Sequence, residues 1–170
     1  MPFTLVLGGV RSGKSALAQR MAEASGRPVT VIVTAEPRDE DMRERIRRHQ
    51  EARPAMWGTV EAPVELLGAV AAAPADHFLL IDCLTLWVSN LLERGLEDEA
   101  MRENVKDILY ELEARTAVVV SNEVGLGVIP DNALGRRYEE LLGRVNTDFA
   151  AGAERTLLMV AGRAIELVAP

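Results

Sequence analysis

Short apolar runs rich in β-branched residues, set between longer stretches of helical periodicity, predict an α/β fold with a mostly parallel sheet. Three observations carry this. Val29–Val33, Phe78–Ile81 and Ala117–Val120 are continuous apolar runs, the pattern of strands buried on both faces. Helical spacing separates them, and right-handed crossovers between parallel strands put such helices on both sheet faces. The first run, Phe3–Leu7, stops at Gly8-Gly9 and gives way to a helical stretch over Ser15–Ala24, with Leu17 and Met21 at helical spacing.

Taken in order, strand Phe3–Leu7, a glycine loop and helix Ser15–Ala24 form the first unit. Strand Val29–Val33 and a charged helix over Asp39–Arg53 form the second. Trp57–Val60 reads as a short strand, Pro63–Ala73 as a helix with proline in its first turn, and Phe78–Ile81 as a strand ending at Asp82. Helical patterns follow at Leu84–Leu92 and Glu99–Arg115, then strand Ala117–Val120. The loop Ser121–Asp131 is punctuated by Gly125, Gly127 and Pro130, and a helix is expected over Asn132–Ala151. Thr156–Val160 and Ala164–Val168, joined by a turn at Gly162, are expected to pair antiparallel at one edge of the sheet.

The 170 residues, 48% of them hydrophobic, suffice for one sizeable core and are too few for two ordinary domains, so a single domain over 1–170 is expected. The net charge of -7, from 26 acidic and 19 basic residues, argues against general nucleic-acid binding. A phosphate site here must gather its cations locally. Cys83, the one cysteine, has no partner for an internal disulfide and reads as a buried reduced thiol of a cytoplasmic protein rather than a catalytic group. A strand pattern begins at the N-terminus, and no apolar run approaches the roughly 18 residues of a membrane span.

Gly8-Gly9-Val10-Arg11-Ser12-Gly13-Lys14-Ser15 matches G-x-x-x-x-G-K-[ST] in full, between a predicted strand and helix as that phosphate-binding loop requires. The fold expected is therefore a three-layer, P-loop NTPase-like one. Glycines let backbone N–H groups turn toward phosphate oxygens, and the helix starting near Lys14 adds the positive end of its dipole. Lys14 is expected to reach the β- and γ-phosphates of GTP or ATP, and Ser15 to place its hydroxyl on Mg²⁺. Asp82 ends a strand at the sheet edge where ligands bind in open parallel sheets, which makes it the candidate carboxylate for that Mg²⁺. Two plainer alternatives stand beside these: an ordinary glycine turn for Gly8–Ser15, and a helix N-cap before Leu84 for Asp82.

His49 lies among Arg45, Arg47, Arg48 and Arg53, and Arg45 and Arg53 are four residues to either side of it, nearly on its own helical face. Phosphate oxygens fit such surroundings, and an imidazole with a free nitrogen lone pair is a nucleophile. The same residue follows Met42 and Ile46 at helical spacing, which equally suits a buried stripe. His77 reads as a surface or strand-edge residue.

Further strings accompany the P-loop: Thr34-Ala35-Glu36; Arg45-Ile46 with His49 and Arg53-Pro54; and Trp57 with Thr59 and Glu61. In the second half come Asp82-Cys83-Leu84-Thr85, Ser121-Asn122-Glu123-Val124-Gly125-Leu126-Gly127-Val128-Ile129-Pro130, and Gly143-Arg144-Val145-Asn146. Together these resemble, over nearly the whole chain, the bifunctional adenosylcobinamide kinase/adenosylcobinamide-phosphate guanylyltransferase family of cobalamin biosynthesis. The resemblance implies that His49 takes up GMP covalently. Some members carry two adjacent histidines where this chain has Arg48-His49, which leaves one candidate here. It further implies guanine-nucleotide contacts from Thr34, Ala35 and Glu36, from Gln50, Glu51, Ala52 and Arg53, and from Glu61 and Asp82; Ala35 and Gln50 stand where members vary, so their backbone is the contributor expected.

Two transfers are implied by the resemblance. A γ-phosphoryl group passes from ATP or GTP to adenosylcobinamide, and GMP then passes from GTP through His49 to adenosylcobinamide phosphate, with Arg53 and Lys14 as candidates to stabilise the departing charge. The corrinoid is large for so short a chain, so a neighbouring subunit is expected to supply a wall, and the resemblance implies a homo-oligomer, a trimer. Asn122–Pro130 is a candidate for substrate or interface contact, or a structural strand-to-helix turn. The rival activities are a P-loop kinase of another small molecule without nucleotidyl transfer, and a GTP-dependent switch; the segment around Ala117–Gly125 lacks the N-K-x-D string that reads guanine in such switches.

Overall fold

The computed structural model describes residues 3–169. Its elements in chain order are β1 (Thr4–Gly8), α1 (Lys14–Ala24), β2 (Val29–Val33), α2 (Glu40–Glu51), β3 (Gly58–Glu61), α3 (Leu66–Ala72), β4 (Phe78–Asp82), α4 (Leu84–Glu93), α5 (Asp98–Leu112), β5 (Ala117–Val120), α6 (Ala133–Gly152), β6 (Arg155–Val160) and β7 (Arg163–Leu167). The strands make one sheet in the order β3-β2-β4-β5-β1-β6-β7. All neighbours are parallel except β6 and β7, where Leu158 faces Ile165 in an antiparallel edge pair.

Alternation explains why the central strands are apolar throughout. Leu5, Ile32, Leu79, Ile81 and Val119 point into one core with helices α3 to α6, whereas Val6, Val31, Leu80, Val118 and Val120 point into the other, against Ala18 and Ala22 of α1. Phe3 and Phe149 meet edge to face with centroids 5.9 Å apart, locking α6 onto the first core. Helix α2 is different: none of its residues is buried. It lies over the carboxyl end of the sheet rather than in either core.

One expectation needs correction. The helix foreseen over Pro63–Ala73 begins only at Leu66. Side chains of α4 hold the preceding carbonyls: Trp87 Nε1 donates to Val64 O at 2.9 Å and buried Asn90 donates to Pro63 O at 2.8 Å. Proline at a helix start is permitted locally, and tertiary contacts override that preference here. Among the described residues no helix is long and apolar enough to cross a membrane.

Arg115, itself buried, caps the far end of α3 by donating to the carbonyls of Val70, Ala71, Ala73 and Pro74 at 2.8 to 3.2 Å. These are the orphan acceptors that a helix C-terminus leaves behind. Arg115→Ala strips them of their donor and is expected to lower the unfolding free energy by about 3 kcal/mol, read as a drop in the urea midpoint without loss of cooperativity.

Candidate active site

The loop after β1 folds into a cradle for identifiable reasons. Gly8 has φ 150°, and a Cβ there would lie 2.5 Å from Met159 O and 2.7 Å from Ser12 Oγ, so only glycine fits. Gly13, at φ 100°, stands at the N-cap of α1 with no side-chain cap of its own, which leaves the first N–H groups of the helix turned toward the loop. The turn between β6 and β7 buttresses the cradle, Gly162 N donating to Ser12 O at 2.9 Å.

Lys14 is 8% exposed, and its Nζ donates to Gly9 O at 2.6 Å, which holds the amine inside the loop. Burial draws the Lys14 ammonium below its ordinary pKa, against the opposing pull of Cys83 and Asp82. Cys83 is partly rather than fully buried, and desolvation still pushes its thiol up to about 11, which leaves it a neutral thiol.

Helix α2 starts with a built cap. Asp39 accepts from Met42 N at 2.7 Å, and Glu40 and Asp41 occupy the first turn, where the dipole favours acids. Its stripe of Met42, Arg45, Ile46 and His49 lines a narrow slot over the end of the sheet rather than a core, so His49 does not sit in a buried stripe. His49 borders two adjoining spaces. One is an open cleft of roughly 470 Å³ over the cradle, lined also by Val10 to Ala16, Asp41, Arg45, Arg48, Asp82 and Asn122. The other is a narrow apolar slot shared with Val33, Ala35, Gln50, Arg53 and Leu86.

Asp82 is the hub between them. Its Oδ2 accepts from Arg53 Nη2 at 3.1 Å and lies 3.6 Å from His49 Nδ1. Burial alone would raise this carboxyl, yet His49, Arg53 and Arg45 together hold it below its ordinary value, so Asp82 is an anion at neutral pH. The N-cap alternative fails, because Cys83 is the N-cap of α4 and the Asp82 side chain turns to the cleft. Arg53 is 5% exposed, and its Nε and Nη1 are buried without a hydrogen-bond partner, an arrangement that calls for an acceptor. Arg45, beside them, makes no ion pair among the described residues.

The remaining sequence candidates scatter. Thr34 is fully buried and structural: its hydroxyl donates to Cys83 O at 2.7 Å and accepts from Cys83 N at 3.0 Å. The Glu36 carboxylate is bound by Arg38 and Arg94, and Arg38 also donates to Asn90 and Glu93, so this cluster ties the start of the α2 segment to α4. Glu51 pairs with Arg47 on the outer face of α2, Ala52 is exposed at its C-cap, and Glu61 is exposed on edge strand β3. None of these five lines the cleft or the slot. Conversely Asp41 lines the cleft unforeseen, although its place two turns before His49 is a signal the sequence contains.

The cleft suits Mg²⁺. Ser15 and Asp82 both line it, a hydroxyl and a carboxylate being the hard oxygen donors this ion accepts. Both side-chain contacts of Asp82 fall on Oδ2, and no hydrogen bond or ion pair of the described residues falls on Oδ1. No group of three or more His, Cys, Asp or Glu gathers elsewhere among the described residues. One or two protein ligands, the rest being phosphate and water, is the usual Mg²⁺ arrangement.

A family model described as cobinamide kinase / cobinamide phosphate guanyltransferase matches residues 4–167. The bifunctional adenosylcobalamin biosynthesis protein CobP of Pseudomonas aeruginosa is 45% identical over 163 residues, covering 93% of this chain and 92% of that protein. The bifunctional adenosylcobalamin biosynthesis protein CobU of Salmonella typhimurium is 35% identical over 178 residues, covering 96% and 98%. Among solved structures, the RadB recombinase superposes with a TM-score of 0.53 at 13% identity, over 92% of this chain and 73% of its own. A type III secretion ATPase gives 0.58 at 9% identity, over 92% and 51%. At such identities the likeness concerns the P-loop NTPase fold alone.

Proposed function

The chain belongs to the cobinamide kinase / cobinamide phosphate guanyltransferase family, and from that premise we propose that it is a bifunctional enzyme of cobalamin biosynthesis. It phosphorylates adenosylcobinamide with ATP or GTP, then transfers GMP from GTP through His49 to give adenosylcobinamide-GDP. The observation that carries this reading is the convergence of His49 and Arg53 on Asp82 Oδ2, beside the cleft that Lys14 and Ser15 line. An ordinary kinase of this fold has no need of an imidazole there.

In the first transfer, a hydroxyl of adenosylcobinamide bonds to the γ-phosphorus while the bond to the bridging oxygen breaks and the nucleoside diphosphate leaves with the electron pair. The cradle amides, Lys14 and Arg45 surround the charge that spreads over the phosphoryl oxygens; catalysis of this kind is mainly positioning and electrostatics. Ser15 and Asp82 would hold Mg²⁺, which would supply positive charge against the phosphoryl oxygens.

In the second transfer, Nδ1 of His49 is engaged by Asp82, which leaves Nε2 as the nucleophile. Its lone pair attacks the α-phosphorus of GTP, the bond to the β-phosphate oxygen breaks, and pyrophosphate departs. An oxygen of adenosylcobinamide phosphate then attacks the same phosphorus, and the P–N bond returns its pair to the imidazole. Arg53, with two buried donors unpartnered, is available to the nucleotide in both half-reactions.

A corrinoid is far larger than this cleft. Leu126, Val128, Ile129 and Leu134 are 63% to 94% exposed around the loop after β5, which supports substrate or subunit contact there and a homo-oligomer, a trimer by family likeness. The test is product analysis of adenosylcobinamide incubated with GTP and Mg²⁺. Adenosylcobinamide-GDP is expected. Accumulation of the phosphate alone would reduce the protein to a kinase, and GTP hydrolysis indifferent to cobinamide would favour a switch.

A further inference from the structure

Asn122 stands two residues past the end of β5 and is held more tightly than a loop residue ordinarily is. Its N–H donates to Thr85 Oγ1 at 2.7 Å, and its carbonyl accepts from Asn146 Nδ2 at 3.0 Å. Thr85 and Asn146 are 8% and 5% exposed, so both clamps are themselves immobilised by packing. On either side, Ser121 N donates to Val6 O at 3.0 Å and Glu123 N donates to Gly8 O at 3.1 Å. The backbone of residues 121–123 is thereby fastened to the strand that enters the phosphate loop.

The side chain of Asn122, in contrast, makes no hydrogen bond to any described residue and lines the cleft with Ser12, Lys14, Ser15 and Asp82. Because β5 lies between β1 and β4 in the sheet, Asn122 sits between the phosphate loop and Asp82. Lys14 and Ser15 serve the β/γ end of a triphosphate and its metal. His49, which must reach the α-phosphorus, approaches from α2 across the cleft, and no hydrogen bond among the described residues joins it to Asn122.

On the reading that this cleft performs both transfers, we propose that Asn122 is a catalytic residue of phosphoryl transfer specifically. Its amide donates to an oxygen of the γ-phosphoryl group in transit and contributes far less to attack by His49. In the step it serves, the acceptor oxygen bonds to the γ-phosphorus as the bond to the β,γ-bridging oxygen breaks. The bridging oxygen keeps the electron pair, and the hydroxyl proton passes to solvent. A neutral amide cannot take that proton, so its work is donation from a fixed position, the kind of contact whose removal costs roughly 10²–10³-fold in rate.

Asn122→Ala keeps the backbone N–H and C=O that make both clamps, so the fold is preserved. Two rates are measured in the full chain: phosphorylation of adenosylcobinamide from γ-labelled GTP, and labelling of the protein from α-labelled GTP. The expected result is a roughly 100-fold fall in the first, exceeding any fall in the second by at least about tenfold. Asn122→Asp, which puts a negative charge against the phosphoryl oxygens, falls further in the first rate. Equal losses in both rates, or an unchanged phosphorylation rate, overturn the assignment while leaving the bifunctional reading intact. An unmodified chain that phosphorylates no cobinamide overturns that reading and the assignment together.

Discussion

If both transfers proceed as proposed, His49→Ala is expected to leave the kinase step alone: adenosylcobinamide phosphate accumulates, and adenosylcobinamide-GDP falls below detection. Removal of a covalent nucleophile costs on the order of 10⁶-fold in the step it serves. The phosphorylation rate survives because His49 belongs to α2, an element with no buried residues, so its loss opens no cavity in either core. Asp82 keeps its bond to Arg53 in the variant and stays an anion. The paired rates, read from one product chromatogram, separate this outcome from general damage to the site, in which both products would vanish.

Lys14→Ala is expected to have the wider effect, since in the proposed scheme one lysine serves both chemistries. Roughly 10²–10³-fold is expected to be lost from phosphoryl and guanylyl transfer alike, with weakened GTP binding, when the only buried lysine of the cleft is removed. The fold should stand. Folded-state burial lowers the Lys14 pKa below its unfolded value, so the unfolded chain holds the proton more firmly, and folding gains stability as pH rises from the folded value toward the ordinary lysine range. The native state is thus not stabilised by that charge, and the variant should melt as cooperatively as the parent. A thermal scan beside the two rates distinguishes a lost contact from a lost fold.

Continuous apolar strands were the most legible part of the sequence. Val29–Val33 and Ala117–Val120 are strands to the residue, because burial on both faces leaves no polar position to blur their ends. The cradle was equally legible, since its glycines answer to local backbone geometry. The start of α3 was not, because Trp87 and Asn90 hold carbonyls more than twenty residues away from themselves in sequence. Nor did periodicity choose between a packed and a reactive His49; a helix that covers the end of a sheet shows the same stripe as one that enters a core. The union of His49, Arg53 and Asp82 depends on β4 and α2 meeting over the cleft, and the clamps on Asn122 depend on Thr85 and Asn146 arriving from separate helices. Both are facts of topology, to which local patterns are blind.

The most direct measurement is made on the protein itself, without corrinoid. After incubation with Mg²⁺ and GTP labelled at the α-phosphate, the purified chain should carry one guanylyl group, lost in acid, retained in base, mapping to the peptide that contains His49, and absent from His49→Ala. An unmodified chain that stays unlabelled while still turning over GTP, or a label that persists in His49→Ala, would contradict the account at its centre.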